Sequence, residues 1–251
     1  MRIKLFINKS IHENAAYYYE LAKEARKKAE GVEKAIEETK KEIEMVKTRK
    51  ETKKVRIKPE REWFEKFHWF YTSGGRLAIG GKNAQQNDIV VKKYMEDSDL
   101  FFHADIQGGS VVILKDGTKA SEEELLEAAQ FAASFSNAWK NGNASVDVYA
   151  VRKEQLSKAV SGGFIQTGAF AIIGERRWFR DTKLGLKVGV GEKGVEVLPE
   201  RSRKKLKEEI LLTPSTGGKE KGEIARGIAK RLGVDVTDIL EIVPNGKSKI
   251  I

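Results

Sequence analysis

The chain has 251 residues, 40% of them apolar, enough to bury a core in one large domain or two small ones. It contains no cysteine and only three histidines (His12, His68 and His103), which excludes disulfides and thiolate zinc sites and argues against a His-rich metal centre. Its net charge of +10 points to an anionic partner, while the lack of a secretory signal and of any run near the roughly 18 apolar residues of a membrane span makes a cytoplasmic protein the expectation.

Arg2–Ile7 reads as a short extended segment, and Ser10 with Glu13 forms a capping box that predicts a helix start. From there Tyr18, Ala22, Ala25, Ala29, Val32, Ile36, Thr39, Ile43 and Val46 keep a 4-3 spacing, a heptad seam on one long helix. No second heptad segment follows, so the seam expects a protein partner or, in isolation, a second copy of the chain. The alternative is a solvated helix laid on the domain. Val46–Lys58 then carries seven basic residues against Glu51, and Pro59 closes the arm.

Arg61–Phe67 reads as a short helix, and Trp69–Thr72 with Arg76–Ile79 as a hairpin around Ser73-Gly74-Gly75. Asn83–Met95 has a helical pattern with Ile89, Val90 and Tyr94 on one face. Strands are expected at Leu100–His103 and Ser110–Leu114. A second capping box, Ser121 with Glu124, opens a helix expected to run to about Trp139 and stop near Asn141-Gly142. Further strands are expected at Ala144–Val151, Ala169–Gly174, Leu186–Val190 and Gly194–Leu198, and a helix at Arg201–Leu211. Leu212–Gly222 has the composition of a linker; Glu223–Leu232 and Thr237–Val243 read as small helices. The expected fold is α+β: a strand-rich domain with two inserted helices, preceded by a long coiled-coil-type helix. Its divisions fall at 1–58 (arm with a basic end), 59–190 (main domain) and 191–251 (small appendage with a linker).

Charge is uneven along these divisions. Residues 1–60 carry 17 basic and 11 acidic side chains, residues 61–190 carry 17 and 16, and residues 191–251 carry 13 and 10. The main domain is nearly neutral, so recognition there should rest on shape, amides and stacking.

Several clusters could carry chemistry. Trp63, Phe64, Phe67, Trp69, Phe70 and Tyr71 are either stacking platforms or core, and their close spacing favours core. Gly80-Gly81-Lys82-Asn83 before a helix could hold a phosphate on backbone N–H groups, or be a plain helix-entry turn. Gln85, Gln86 and Asn87 could read base edges or simply face solvent. His103-Ala104-Asp105 with Gly108-Gly109-Ser110 has the ingredients of a hydrolase but no nucleophile elbow; a hydrogen-bonded His–Asp turn at a strand end is the preferred reading. The loop around Ser157, Lys158 and Ser161-Gly162-Gly163, and the run Arg176-Arg177-Trp178-Phe179-Arg180, could contact RNA or form a solvated hairpin.

Four motifs stand in order: WFEKFHWF (63–70), IGGKNAQQNDIVVKKYM (79–95), FFHADIQGGS (101–110) and SKAVSGGFIQTGAFAI (157–172). In sequence and spacing they resemble the NFACT-R domain of the NEMF/Caliban/FbpA family of ribosome-associated quality-control factors. The phrase NKSIHENAAYYYELAKEARKKAE (8–30) resembles the coiled-coil segment that precedes that domain. The resemblance implies a C-terminal fragment of an archaeal member, without the N-terminal domain on which tRNA recruitment largely depends. It implies a non-enzymatic RNA-binding module, with no cofactor or metal, for large ribosomal subunits carrying stalled peptidyl-tRNA, contacting tRNA or rRNA. The expected contact surface is Arg76, Lys82, Asn83, Gln85, Gln86, Asn87, His103, Asp105, Ser157 and Lys158. Many relatives have Gly-Gly-Arg-Asp where this chain has Gly80-Gly81-Lys82-Asn83, which replaces a guanidinium fork by a point charge. The rival expectation is a coiled-coil interaction scaffold without direct RNA contact.

Overall fold

A computed structural model describes residues 4–50, 62–160 and 163–251, with the side chains of all of them except 41–50, 159–160 and 163–164. The chain divides into two units, Met1–Glu60 and Arg61–Ile251.

In the first unit, helix α1 (Ile11–Lys50) begins as its sequence predicts. Glu13 accepts hydrogen bonds from the Ser10 N–H (2.7 Å) and hydroxyl (2.8 Å), and the Ser10 hydroxyl accepts from the Glu13 N–H at 3.3 Å. Asn14 is buried, and its amide bonds the Phe6 N–H and the carbonyls of Phe6, Lys9 and Ser10. That local tether holds residues 4–10 in irregular and turn conformations where an extended segment was expected; Arg2 and Ile3 lie outside the described residues. On the seam, Val32 and Ile36 are 59% and 48% exposed. Most of the basic stretch Val46–Lys58 lies outside the described residues, as does Pro59.

The second unit is built on a six-stranded antiparallel sheet in the order β1-β2-β4-β3-β5-β10. Its strands are β1 (His68–Tyr71), β2 (Leu77–Gly80), β3 (Leu100–Ala104), β4 (Val111–Leu114), β5 (Ser145–Arg152) and β10 (Arg177–Lys183). Between β2 and β3 lies α2 (Ala84–Ile89), continued by a wider π-type turn over Val90–Tyr94. Two small pairs, β6 (Leu156–Ser157) with β9 (Ala171–Ile172) and β7 (Ala159–Val160) with β8 (Gly163–Phe164), sit between β5 and β10. The helix expected at 61–67 is, over the described residues 62–67, a set of turns in which the Phe67 N–H bonds the Phe64 carbonyl; residue 61 lies outside the described residues.

Strand periodicity sorts the sheet into two buried faces. On one, Phe70, Ala78, Phe102, Ala104, Val112, Leu114, Val148, Ala150 and Phe179 share a core with α3 (Glu122–Ser134), whose alanines allow close approach. On the other, Ile79, Phe101, Val111, Ile113, Tyr149 and Val151 pack with Phe64, Phe67, Val90, Val91 and Met95. Most of the aromatic cluster is therefore core, though Trp63 is 44% exposed. Ile89 is also exposed; Asn87, Val90 and Val91 form the buried side of α2 and its extension.

The helix expected through Trp139 breaks at Phe135. Ser136 caps a second short helix, α4 (Asn137–Lys140), and Gly142 ends it at φ +75°. A second sheet, in the order β12-β11-β13-β14, is formed by β11 (Leu186–Gly191), β12 (Gly194–Pro199), β13 (Lys207–Lys219) and β14 (Ser248–Ile250). Helices α5 (Lys221–Leu232) and α6 (Val236–Ile242) complete it, and Gly233 stops α5 in the left-handed conformation.

Two expectations fail here. Arg201–Leu211 is not a helix and Leu212–Gly222 is not a linker: Lys207–Leu211 and most of Leu212–Gly222 lie in β13, after irregular backbone over 202–206. The Lys- and Glu-rich run masked a two-residue period in which Ile210 and Leu212 point inward and pair with β11 at Val188 and Leu186. Pro214 is tolerated because it lies beyond the last β11 pair, where only β14 runs alongside. Buried residues of this sheet and of α5 and α6, including Leu186, Leu198, Ile210, Ile228 and Ile239, join the core beneath α3.

Candidate nucleic-acid interface

Register brings three aromatic rings abreast on adjacent strands. His103 on β3 pairs with Tyr149 on β5, and Tyr149 pairs with Trp178 on β10. Ring centroids are 5.8 Å apart for His103–Tyr149 and 5.5 Å for Tyr149–Trp178. The two-residue period also divides the run Arg176–Arg180. Phe179 faces the opposite side, 5.7 Å from Phe102 in the core, and Arg177 lies over its ring and pairs with Glu122. Arg176 and Arg180 stay with Trp178. The Arg176 guanidinium lies 4.7 Å from the Tyr149 ring centre and 5.7 Å from that of Trp178; Arg180 lies 3.9 Å from Trp178. Asp147 holds Arg180 through an ion pair at 2.5 Å. The Arg180 hydrogen bond, followed by one from the Asp181 N–H, keeps the Asp147 carboxyl below its ordinary pKa. The result is a row of mutually tilted rings, 38° and 68° between successive planes, with Tyr149 buried, Trp178 half-buried and two guanidiniums at the outer end, where a base could stack with its phosphate at the margin.

The row continues inward. Phe101 stacks near His103 (6.2 Å) and meets Phe170 edge-on at 5.8 Å. Lys158 lies 4.0 Å over the Phe170 ring, pairs with Asp88 at 2.6 Å and donates to the Ala169 carbonyl at 2.6 Å. Asp88 also accepts from the Gly168 N–H. Gly168, at φ +82°, is needed here: a Cβ would come within 2.6 Å of the Ala84 Cα. Asp88 thus clamps the segment around Gly168 onto the start of α2.

The expected contact residues do not form one surface. Lys82, Asn83, Gln85 and Gln86 cluster at the start of α2, where Asn83 caps the helix by accepting from the Gln86 N–H. Gln86 returns a bond from the Lys82 N–H and reaches the Lys66 carbonyl, so it serves the turn. Gln85 is exposed. Asn87 is buried behind Gly81, with no hydrogen-bond partner for its Oδ1. Arg76 lies elsewhere, gripping Glu124 at 2.7 and 2.9 Å and donating to the Lys119 carbonyl. Ser157 is half-buried on β6.

His103 differs from its expected role. Its ring is largely buried, burial lowers its pKa, and its Nδ1 has no hydrogen-bond partner rather than a bond from the Asp105 side. Gly109 packs so close that an added Cβ would lie 2.8 Å from the ring. His103 is therefore a neutral wall of the row. Tyr149, left unmarked by sequence reading, is the row's centre; its placement opposite both His103 and Trp178 is a matter of register. Among the described residues no group of acidic or histidine side chains could hold a metal ion, and no helix is long and apolar enough to cross a membrane.

A family model described as the NFACT protein RNA binding domain matches residues 66–174. The archaeal Rqc2 homolog aRqcH of Methanocaldococcus jannaschii is 43% identical over 208 residues, which cover 79% of this chain and 31% of that protein. The ribosome quality control complex subunit NEMF homolog of Drosophila melanogaster is 38% identical over 66% of this chain and 17% of its own length. For the ribosome quality control complex subunit NEMF of Homo sapiens the identity is 34%, over 66% and 16%. The chain spans about a third or less of the length of these relatives.

Proposed function

This chain belongs to the NFACT protein RNA binding domain family, and from that premise we propose that its second unit binds single-stranded RNA along the His103–Tyr149–Trp178 row. The row itself carries the reading: three rings in register, with Arg176 and Arg180 both close to the outermost. Trp178, half-buried at the outer end and backed by the buried Tyr149, is where an unpaired base can stack without strict sequence demand, and guanidinium forks take the phosphates. Of the other expected contacts, Asp105 acts by its charge on His103 and Tyr149, and Lys158 lies over Phe170 beside Phe101; Lys82, Asn83, Gln85 and Gln86 form a separate cluster at the start of α2, and Arg76 and Asn87 serve architecture. The relatives' names speak of ribosome quality control, and our reading extends this to a non-enzymatic RNA-binding part of such a factor that engages large subunits holding a stalled peptidyl-tRNA.

The test is titration of a labelled single-stranded RNA across salt. Trp178→Ala should remove one stacking platform, about 1–3 kcal/mol, or roughly 5- to 150-fold in affinity. Arg176→Gln and Arg180→Gln should each flatten the log–log salt slope by about 0.7. Wild-type binding that ignores salt, or a Trp178→Ala variant as tight as wild type, defeats the proposal. Crosslinking to large subunits bearing peptidyl-tRNA, with Trp178→Ala as comparison, then tests the ribosomal setting.

The arm supports a second, compatible reading. The exposure of Val32 and Ile36 on the heptad seam fits a helix that takes a partner, a second copy when the chain is isolated. Sedimentation that stays monomeric at every concentration would remove the copy.

A further inference from the structure

A cavity of about 260 Å³ lies apart from the aromatic row, lined by residues from well-separated parts of the chain. Lys82 comes from the turn before α2, Lys140 from the end of α4 and Lys221 from the start of α5. Its apolar wall includes His68 and Phe135, stacked with centroids 4.0 Å apart. Asn137 and Asn245 supply amides, and Lys221 donates to Asn245 Oδ1 at 3.0 Å. Glu241 is the only acidic residue in the lining, against three lysines. The lysines also feel one another: burial, and then the charge of Lys82, lowers the pKa of Lys221. Burial, followed by Lys82 and Lys221, pushes His68 well below its ordinary range, so the imidazole is neutral and adds no charge. Gathering ammonium groups in a recess is unfavourable unless an anion joins them, and the compact lysine charge suits a phosphate oxygen.

We propose that this cavity is a phosphate subsite, taking one phosphate group of an RNA strand through Lys82, Lys140 and Lys221. The RNA part rests on the function proposed above; the cavity's taste for phosphate does not. Two sources share the chemistry, an internal phosphodiester and a terminal phosphate. The cavity also gives the tail a task, since Lys221 and Asn245 come from beyond the residues of the family match.

Lysine acylation read by mass spectrometry on the full chain tests this. Inorganic phosphate should slow acylation of Lys82, Lys140 and Lys221 several-fold, and leave Lys230, exposed on the same helix as Lys221, unchanged. Lys221→Gln, confirmed as folded by its thermal transition, should abolish the protection of Lys82 and Lys140. Unchanged reactivity with phosphate, or full protection in the folded variant, overturns the proposal. A single-stranded oligonucleotide that protects equally with a 5′-phosphate or a 5′-hydroxyl identifies the diester as the occupant; protection only by the phosphorylated form identifies the terminal group. Trp178-dependent RNA binding with no lysine protection overturns the cavity alone, and loss of both overturns the function with it.

Discussion

Acid should unfold this protein partly through one carboxylate, Glu124. It caps α3, accepting from the Ser121 N–H and hydroxyl (2.9 and 3.0 Å), while accepting from the Thr72 hydroxyl at 2.8 Å and the Arg76 guanidinium at 2.7 and 2.9 Å. Burial alone would raise its pKa, but the bonds from Ser121, Thr72 and Arg76 outweigh it and hold the group at about 2 against an ordinary 4.5. Its side chain is 4% exposed, so solvent screening is weak. At 1.36 kcal/mol per pKa unit, the displacement corresponds to about 3 kcal/mol of stability. Because the folded-state pKa is the lower one, that stability is fully present above pH 4.5 and is lost as pH falls toward 2. Asp88, Asp147 and Glu209 are also held below their ordinary range, so the wild type alone cannot isolate it. Urea unfolding followed by tryptophan fluorescence, with wild type and Glu124→Gln compared from pH 6 downward, does. The gap between them should be widest at the upper end and close by roughly 3 kcal/mol toward pH 2. A gap that does not change with pH refutes the hydrogen-bond account of Glu124.

Three further outcomes are expected. Gly81→Ala should cost about 1–3 kcal/mol in urea unfolding, because the new Cβ would lie 2.1 Å from Asn87 Oδ1 and 2.7 Å from the Asn87 backbone nitrogen; an unchanged midpoint would mean that α2 can slide. Ser248→Ala should cost about 1–3 kcal/mol by stranding the buried Trp139 indole N–H, which donates to the Ser248 hydroxyl at 3.0 Å. A neutral effect would show that the indole finds another acceptor. Lys158→Met should speed backbone amide exchange at Gly168, whose N–H bonds the Asp88 carboxylate that Lys158 neutralises; unchanged exchange would show that Asp88 holds the segment unaided.

Local signals were the most legible. Both capping boxes, the β1–β2 hairpin and the glycine stop at Gly142 follow from residues a few positions apart, so sequence alone placed them. What resisted reading was decided at long range. β13 has helix-forming composition and became a strand because β11 and β14 offered it two partners. β10 was seen as a basic aromatic run; only pairing with β5 makes it a strand and turns Trp178 and Arg177 to opposite faces. Arg76 was expected on the contact surface, but α3 places Glu124 beside it. The cavity lysines lie as far apart as residues 82 and 221, a separation no motif spans.

Among the described residues β10 closes one end of the six-stranded sheet and pairs only with β5, so its outer backbone is a template on which another strand could grow. The register break between Phe179 and Thr182, with Asp181 at φ +48°, bends that border, and Arg177 and Arg180 charge it. Of these, Arg180 is also a guanidinium proposed to meet a nucleic acid, so one charge would serve both that contact and protection of the border against pairing with a second copy. Replacing Arg180 by a neutral residue would then be expected to leave this border easier for another strand to pair with, whatever it does to nucleic-acid binding.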